Sequence, residues 1–103
     1  MSLKLTFRPE VAHDLASGAT WYDRQVPGLG DEFLGEYRLA LDKVLELPLA
    51  QAADSSGMRF QRLKRFPYRI CYRVQEMGVQ EMEILVAAVF HMRRNPDRLS
   101  NRR

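Results

Sequence analysis

The residues best suited to binding chemistry are concentrated in one stretch, RFQRLKRFPYRICYR at positions 59–73. It contains six of the sixteen Lys and Arg residues of the chain, namely Arg59, Arg62, Lys64, Arg65, Arg69 and Arg73. Guanidinium and ammonium groups donate charge-assisted hydrogen bonds to carboxylates and phosphates. The stretch therefore predicts a surface that binds an anionic partner, although a solvated sheet face without a partner has the same composition.

The second half of this stretch alternates between apolar residues and residues of another kind. The apolar set is Tyr68, Ile70, Tyr72 and Val74, and the intervening set is Arg69, Cys71 and Arg73. A period of two indicates a β-strand with one face in a core and the other face exposed and basic. Phe66 and Pro67 separate this strand from a preceding one.

Charge is divided unequally along the chain. Residues 1–57 contain five basic and nine acidic residues, a net charge of −4, whereas residues 58–103 contain eleven and four, a net charge of +7. Basic charge confined to one half of a small domain indicates an anionic partner, either nucleic acid or an acidic protein segment.

Other features of the sequence limit the function classes. The single Cys71 cannot form an intrachain disulfide and is interpreted as a space-filling residue, and His13 has no Cys or second His at metal-ligand spacing. The longest apolar run, Ile84–Phe90, has seven residues, far fewer than the roughly 20 that span a bilayer. The N-terminus lacks an apolar signal region. We therefore expect a cytoplasmic protein without a metal, a cofactor, a small-molecule substrate or a membrane association.

Periodicity and turn residues divide the chain into the elements of a single domain over residues 1–103. The predicted elements are a strand over 3–7, a helix opened by Pro9, a helix capped by Asp31 and stopped by Pro48, strands over 58–64, 68–75 and 81–91, and a basic tail over about 95–103. Their order, β-α-α-β-β-β, predicts an α+β fold in which a helical hairpin packs on one face of a small, mainly antiparallel sheet. The first strand then pairs with a strand distant in sequence.

Several side chains are assigned to the core or to the surface by the same patterns. The stripe Val11, Leu15, Ala19, Tyr22 and Val26 predicts the buried side of the first helix. Trp21, Tyr22 and Tyr37 are expected in the core, and Glu36 on the solvent side of the second helix. Gly78 is expected to take a positive φ in a tight turn after Met77.

The order of elements and three sequence motifs together resemble the ParE/RelE toxin superfamily over nearly the whole chain. The motifs are Pro27-Gly28-Leu29-Gly30 followed by Phe33, the run Leu63–Tyr72, and the strand that ends in His91-Met92-Arg93-Arg94-Asn95-Pro96, which resembles the ParE branch. The resemblance implies the toxin of a bacterial type II toxin–antitoxin system, of the kind known as plasmid stabilisation proteins. Such a toxin is neutralised by an acidic antitoxin, here expected at the basic residues of 59–73.

Two activities follow from the resemblance, and they belong to different classes. ParE-like members are associated with binding and inhibition of DNA gyrase, whereas RelE-like members are ribosome-dependent mRNA endoribonucleases. Cleavage through the 2′-OH needs a base, an acid and cations for the phosphate, and the candidates here are Arg69, Arg62, Lys64 and His91. The sequence departs from the RelE pattern, because Met92 stands about where an arginine is expected and no tyrosine follows Tyr72.

We therefore interpret the chain as a ParE-like toxin that acts by binding rather than as an enzyme. The ribonuclease and an inactive protein that retains only antitoxin binding are the alternatives. Arg93, Arg94 and Arg98 are the predicted contacts to the cellular target.

Overall fold

The computed structural model describes residues 2–93. Met1 and residues 94–103, which include Arg94, Arg98 and the predicted tail, lie outside the described residues. The elements are β1 Ser2–Phe7, α1 Glu10–Gln25, α2 Leu29–Glu46, β2 Arg59–Arg62, β3 Tyr68–Gly78 and β4 Glu81–His91. The four strands form one sheet in the order β1-β4-β3-β2, parallel between β1 and β4 and antiparallel elsewhere. The α+β fold and the distant pairing of the first strand are confirmed.

The helical hairpin covers one face of this sheet, with α1 over β4 and α2 over β2 and β3. The second helix begins two residues before the predicted cap. Gly28 takes the N-cap position with φ of 90°, a left-handed conformation that suits glycine. Asp31 therefore lies in the first turn, where its negative charge favours the positive end of the helix dipole.

The core has two parts, one on each side of the sheet. Phe33, Ile70, Tyr72 and Ile84 belong to the larger part, which lies between the sheet and the helices. The smaller part contains Met58, Cys71, Ala87 and Ala88, with Phe60 and Phe90 packed against it. We call the face that carries this smaller cluster, on the side away from the helices, the outer face. It is thus largely apolar in its middle, and not uniformly basic as the alternation predicted.

Besides the helix cap, four local predictions are wrong. Trp21 is 50% exposed, and Val26 is exposed because it is the extended C-cap residue that follows the last turn of α1. Glu36 is only 8% exposed, because it faces the β2–β3 connection rather than solvent. The β3–β4 turn consists of Val79 and Gln80, and Gln80 has the positive φ of 58°. β3 therefore continues through Gly78.

Candidate functional site

Arg69 occupies an unusual setting on the outer face. Its guanidinium carbon lies 4.2 Å from the centre of the Phe60 ring and 4.9 Å from the centre of the Phe90 ring. Both distances are within the range of cation–π attraction. Its Nε is buried and has no hydrogen-bond partner. The positive charge therefore lies against two aromatic rings. Among the described residues, no acidic side chain forms an ion pair with it.

The strand register produces this arrangement. Arg69 is the direct partner of Phe90 on β4, while Phe60 on β2 pairs with Cys71, two residues along β3. Opposite and diagonal neighbours on one face of a sheet are within reach of aromatic side chains. The rings thus come from the strands on either side of β3, and they hold the guanidinium in one orientation. Its in-plane N–H groups remain the groups that can bind a carboxylate or phosphate.

Two of the other basic residues of 59–73 are used within the fold. The Arg59 guanidinium donates hydrogen bonds to the backbone carbonyls of Leu49 and Gln51, so it anchors the connection that precedes β2. The Arg65 guanidinium lies 2.9 Å from a carboxylate oxygen of Glu32 and 3.7 Å from one of Glu36.

The hydrogen bond and charge of Glu32 raise the pKa of Arg65. Arg65 therefore binds the carboxylates of α2 in the isolated chain.

The remaining cations of the stretch lie around the edge of the sheet. Arg62 pairs with Arg69 at the end of β2, and together with Lys64 it lines an open cleft of about 330 Å³ against α2. Three acidic residues, Glu36, Asp42 and Glu46, line the same cleft. Arg73 is half-buried and pairs with Leu85. Arg69 is thus distinguished from Arg62, Lys64 and Arg73 by its contacts with two aromatic rings.

His91 lies on the other side of the sheet from Arg69. It is the β4 partner of Tyr68, whose side chain belongs to the core between the sheet and the helices. The ring centres of Tyr68 and His91 are 5.3 Å apart in an edge-to-face arrangement. The structure therefore does not bring His91 together with Arg69 in one centre, as the ribonuclease alternative would require.

An open cleft on the helical side surrounds His91 at the end of the sheet. We call it the aromatic cleft; its volume is about 370 Å³ and it is lined by Trp21, Tyr22, Pro67, Tyr68, His91 and Arg93. The backbone N–H of Arg93 donates a hydrogen bond of 3.1 Å to Nδ1 of His91. Trp21 packs edge-to-face on Tyr22, with ring centres 5.1 Å apart.

Sequence reasoning missed three of these side chains. Phe60 could have been found by pairing the strands predicted over 58–64 and 68–75, whereas Phe90 could not, because both faces of the strand predicted over 81–91 are apolar. The sequence predicts Trp21 in the core, because aromatic residues in amphipathic helices are usually buried. Within residues 2–93, no group of His, Cys, Asp and Glu side chains could hold a metal ion, and no helix has the length and apolar character needed to cross a membrane.

Comparison with known proteins relates the chain through its fold. No family model matches the sequence, and no curated protein does either. Nine chains of solved structures match. One belongs to the "Chromosomal ParDE TA system from P. aeruginosa"; it superimposes with a TM-score of 0.59 at 20% sequence identity, over 82% of this chain and 92% of that chain. The chain therefore has the ParE/RelE-like α+β fold that the sequence motifs indicated, shared with a component of a toxin–antitoxin system.

Proposed function

We propose that this protein is the toxin of a type II toxin–antitoxin pair, that it acts as ParE-like toxins do by binding and inhibiting DNA gyrase, and that an acidic antitoxin neutralises it. The fold shared with a ParDE component supports the first part. The observation that carries the proposal is Arg69, a cation held between Phe60 and Phe90 with its Nε unpaired.

An arginine in this setting favours a carboxylate supplied by another chain. A partner carboxylate would bind the terminal N–H groups of Arg69, since only its Nε is buried without a partner, and a hydrogen bond to a charged group contributes roughly 1.5–3 kcal/mol. The apolar residues around Arg69 on the outer face, Phe60 and Phe90, suit an amphipathic segment that combines a carboxylate with apolar side chains. Such a segment is what an antitoxin offers.

The separation of Arg69 from His91 favours binding over catalysis. A ribonuclease centre needs its base and its phosphate-binding cation around one scissile bond. Here the two residues point to opposite sides of the sheet, since Arg69 pairs with Phe90 and His91 with Tyr68. Inhibition by binding to the target does not require Arg69 and His91 to lie in one centre.

The test is expression of the chain without its antitoxin, followed by separate measurements of DNA and protein synthesis. We expect DNA synthesis to stop first, and the purified chain to inhibit gyrase supercoiling of a plasmid. Early collapse of protein synthesis with cut mRNA, while DNA synthesis continues, would instead establish the ribonuclease. Normal growth in the presence of well-folded chain would leave only the inactive, antitoxin-binding protein.

A further inference from the structure

We propose that the aromatic cleft is the docking site for the cellular target, and that it takes a protein segment in which a single carboxylate lies beside an aromatic or proline side chain. The inference rests on the proposed function and names the part of the toxin that engages the target. It places that part on the side of the sheet opposite Arg69.

The apolar wall of the cleft is formed by large side chains that remain accessible. Trp21 is 50% exposed although it lies beside the buried Tyr22, and Pro67 is exposed at the β2–β3 corner. The edge-to-face contact with Tyr22 restricts the indole, which lowers the conformational entropy that binding has to remove. Exposed tryptophan beside arginine is the composition typical of interface hot spots.

The charged residue that lines the cleft is Arg93, a cation. His91 lines the cleft beside it, and its Nδ1 accepts the backbone N–H of Arg93. No Asp or Glu lines the cleft among the residues that the structure describes. A ligand with an accessible carboxylate complements this set, whereas a basic segment does not.

The charge around the cleft favours a protein segment over a nucleic acid. α1, which supplies Trp21 and Tyr22, carries Glu10, Asp14 and Asp23 against the single cation Arg24. A single-stranded nucleic acid needs a continuous basic groove along its phosphates. A strand leaving this cleft along α1 would meet acidic side chains, while an isolated carboxylate next to Arg93 would not.

The position of the cleft makes target binding separable from antitoxin binding. Tyr68 and Arg69 are consecutive in β3, so their side chains lie on opposite faces of the sheet. The same holds for His91 and Phe90 in β4. A substitution in the cleft should therefore affect the target without removing any contact to the ring-held Arg69.

The test compares Trp21→Ala and Arg93→Glu with wild-type chain and with Arg38→Glu, a matched charge reversal on an exposed residue of α2 that does not line the cleft. Each is assayed for growth arrest, for inhibition of gyrase supercoiling and for antitoxin affinity. We expect both cleft variants to raise the half-inhibitory concentration at least about tenfold, as for loss of a hot-spot side chain. Antitoxin affinity should stay within about twofold of wild type, because the outer face is unchanged.

Arg93 is exposed, so its variant tests the proposal even if Trp21→Ala unfolds, which a circular dichroism melt would show. Undiminished growth arrest by Arg93→Glu and folded Trp21→Ala would overturn the inference. Loss of antitoxin binding by the cleft variants would assign the cleft to the antitoxin and overturn it too. So would a single-stranded RNA oligonucleotide that binds wild type but not the variants. A wild-type chain that never arrests growth would instead refute the proposed function.

Discussion

Gly30 at the start of α2 lies so close to Ala19 of α1 that a Cβ on Gly30 would be 2.5 Å from the Ala19 carbonyl oxygen. The same Cβ would be 2.8 Å from the Asp23 carboxylate, which accepts the Gly30 N–H. The helical hairpin therefore depends on glycine at this position, because backbone atoms cannot move aside as a flexible side chain can.

Gly30→Ala should lower the free energy of unfolding by at least about 2 kcal/mol, as overpacking of a tight contact does. Gly35 is the control on the same helix, since its added Cβ would meet nothing within 4 Å. Gly35→Ala should raise stability by about 0.5–1 kcal/mol through helix propensity. Urea unfolding of the two variants measures both changes, and equal effects would contradict the close crossing.

The contact between Phe60 and Arg69 predicts a measurable coupling in the isolated protein. A double-mutant cycle with Phe60→Leu and Arg69→Met should give an interaction energy of about 0.5–2 kcal/mol, because the guanidinium is partly desolvated. The control cycle replaces Arg69→Met by Arg38→Met, on the exposed side of α2. Equal coupling in both cycles would show that the ring contact contributes nothing.

Charge reversal at Arg69 should weaken antitoxin binding at least tenfold, equivalent to about 1.4 kcal/mol. Because Glu between Phe60 and Phe90 could also destabilise the fold, Arg69→Met is measured beside it, with thermal unfolding of each. Arg38→Glu makes the same charge change away from the outer face and should leave affinity unchanged. Titration calorimetry with the antitoxin checks all three, and unchanged affinity in folded Arg69 variants would exclude the outer face as the docking site.

The sequence predicts on which face of the sheet each β3 side chain lies, whereas it does not predict on which face His91 of β4 lies. In β3 the apolar and polar residues alternate, so the pattern assigns Ile70 to the core and Arg69 to the opposite face, as the structure has them. In β4 both faces are apolar, and a register shift opposite Cys71 and Tyr72 leaves Ala87 without a partner. Val86 and Val89, three residues apart, consequently both lie in the core beneath the helices. Strict alternation would have put them on opposite faces.

The contacts of the individual basic side chains could likewise not be predicted from the sequence. Composition shows that residues 59–73 are basic, but it does not show which anion each cation meets. Arg65 meets Glu32, thirty-three residues earlier, and Arg59 meets carbonyls of the preceding connection. Both contacts depend on how α2 and the loop after it pack beside β2. Arg69 lies on the outer face, the side of the sheet that its position in the predicted strand indicated.

The buried hydroxyl of Tyr72 should make stability fall at alkaline pH. The hydroxyl donates a hydrogen bond of 3.0 Å to the Pro48 carbonyl. Burial raises the pKa of Tyr72, and the charge of Arg59 offsets this only in part. As pH rises past about 10, the unfolded chain loses the Tyr72 proton before the folded chain does. Stability is therefore fully present below that pH and is lost as the pH rises toward the folded pKa.

Tyr72→Phe isolates this effect, because Tyr37, whose pKa is also raised by burial, titrates in both proteins. Near pH 7 the variant should be less stable by about 1 kcal/mol through loss of the hydrogen bond. Above about pH 10 the difference should shrink by up to about 1.4 kcal/mol per pH unit, the limit for one proton. Urea unfolding from pH 7 to 11 measures it, and a pH-independent difference would show that the Tyr72 hydroxyl ionises equally in both states.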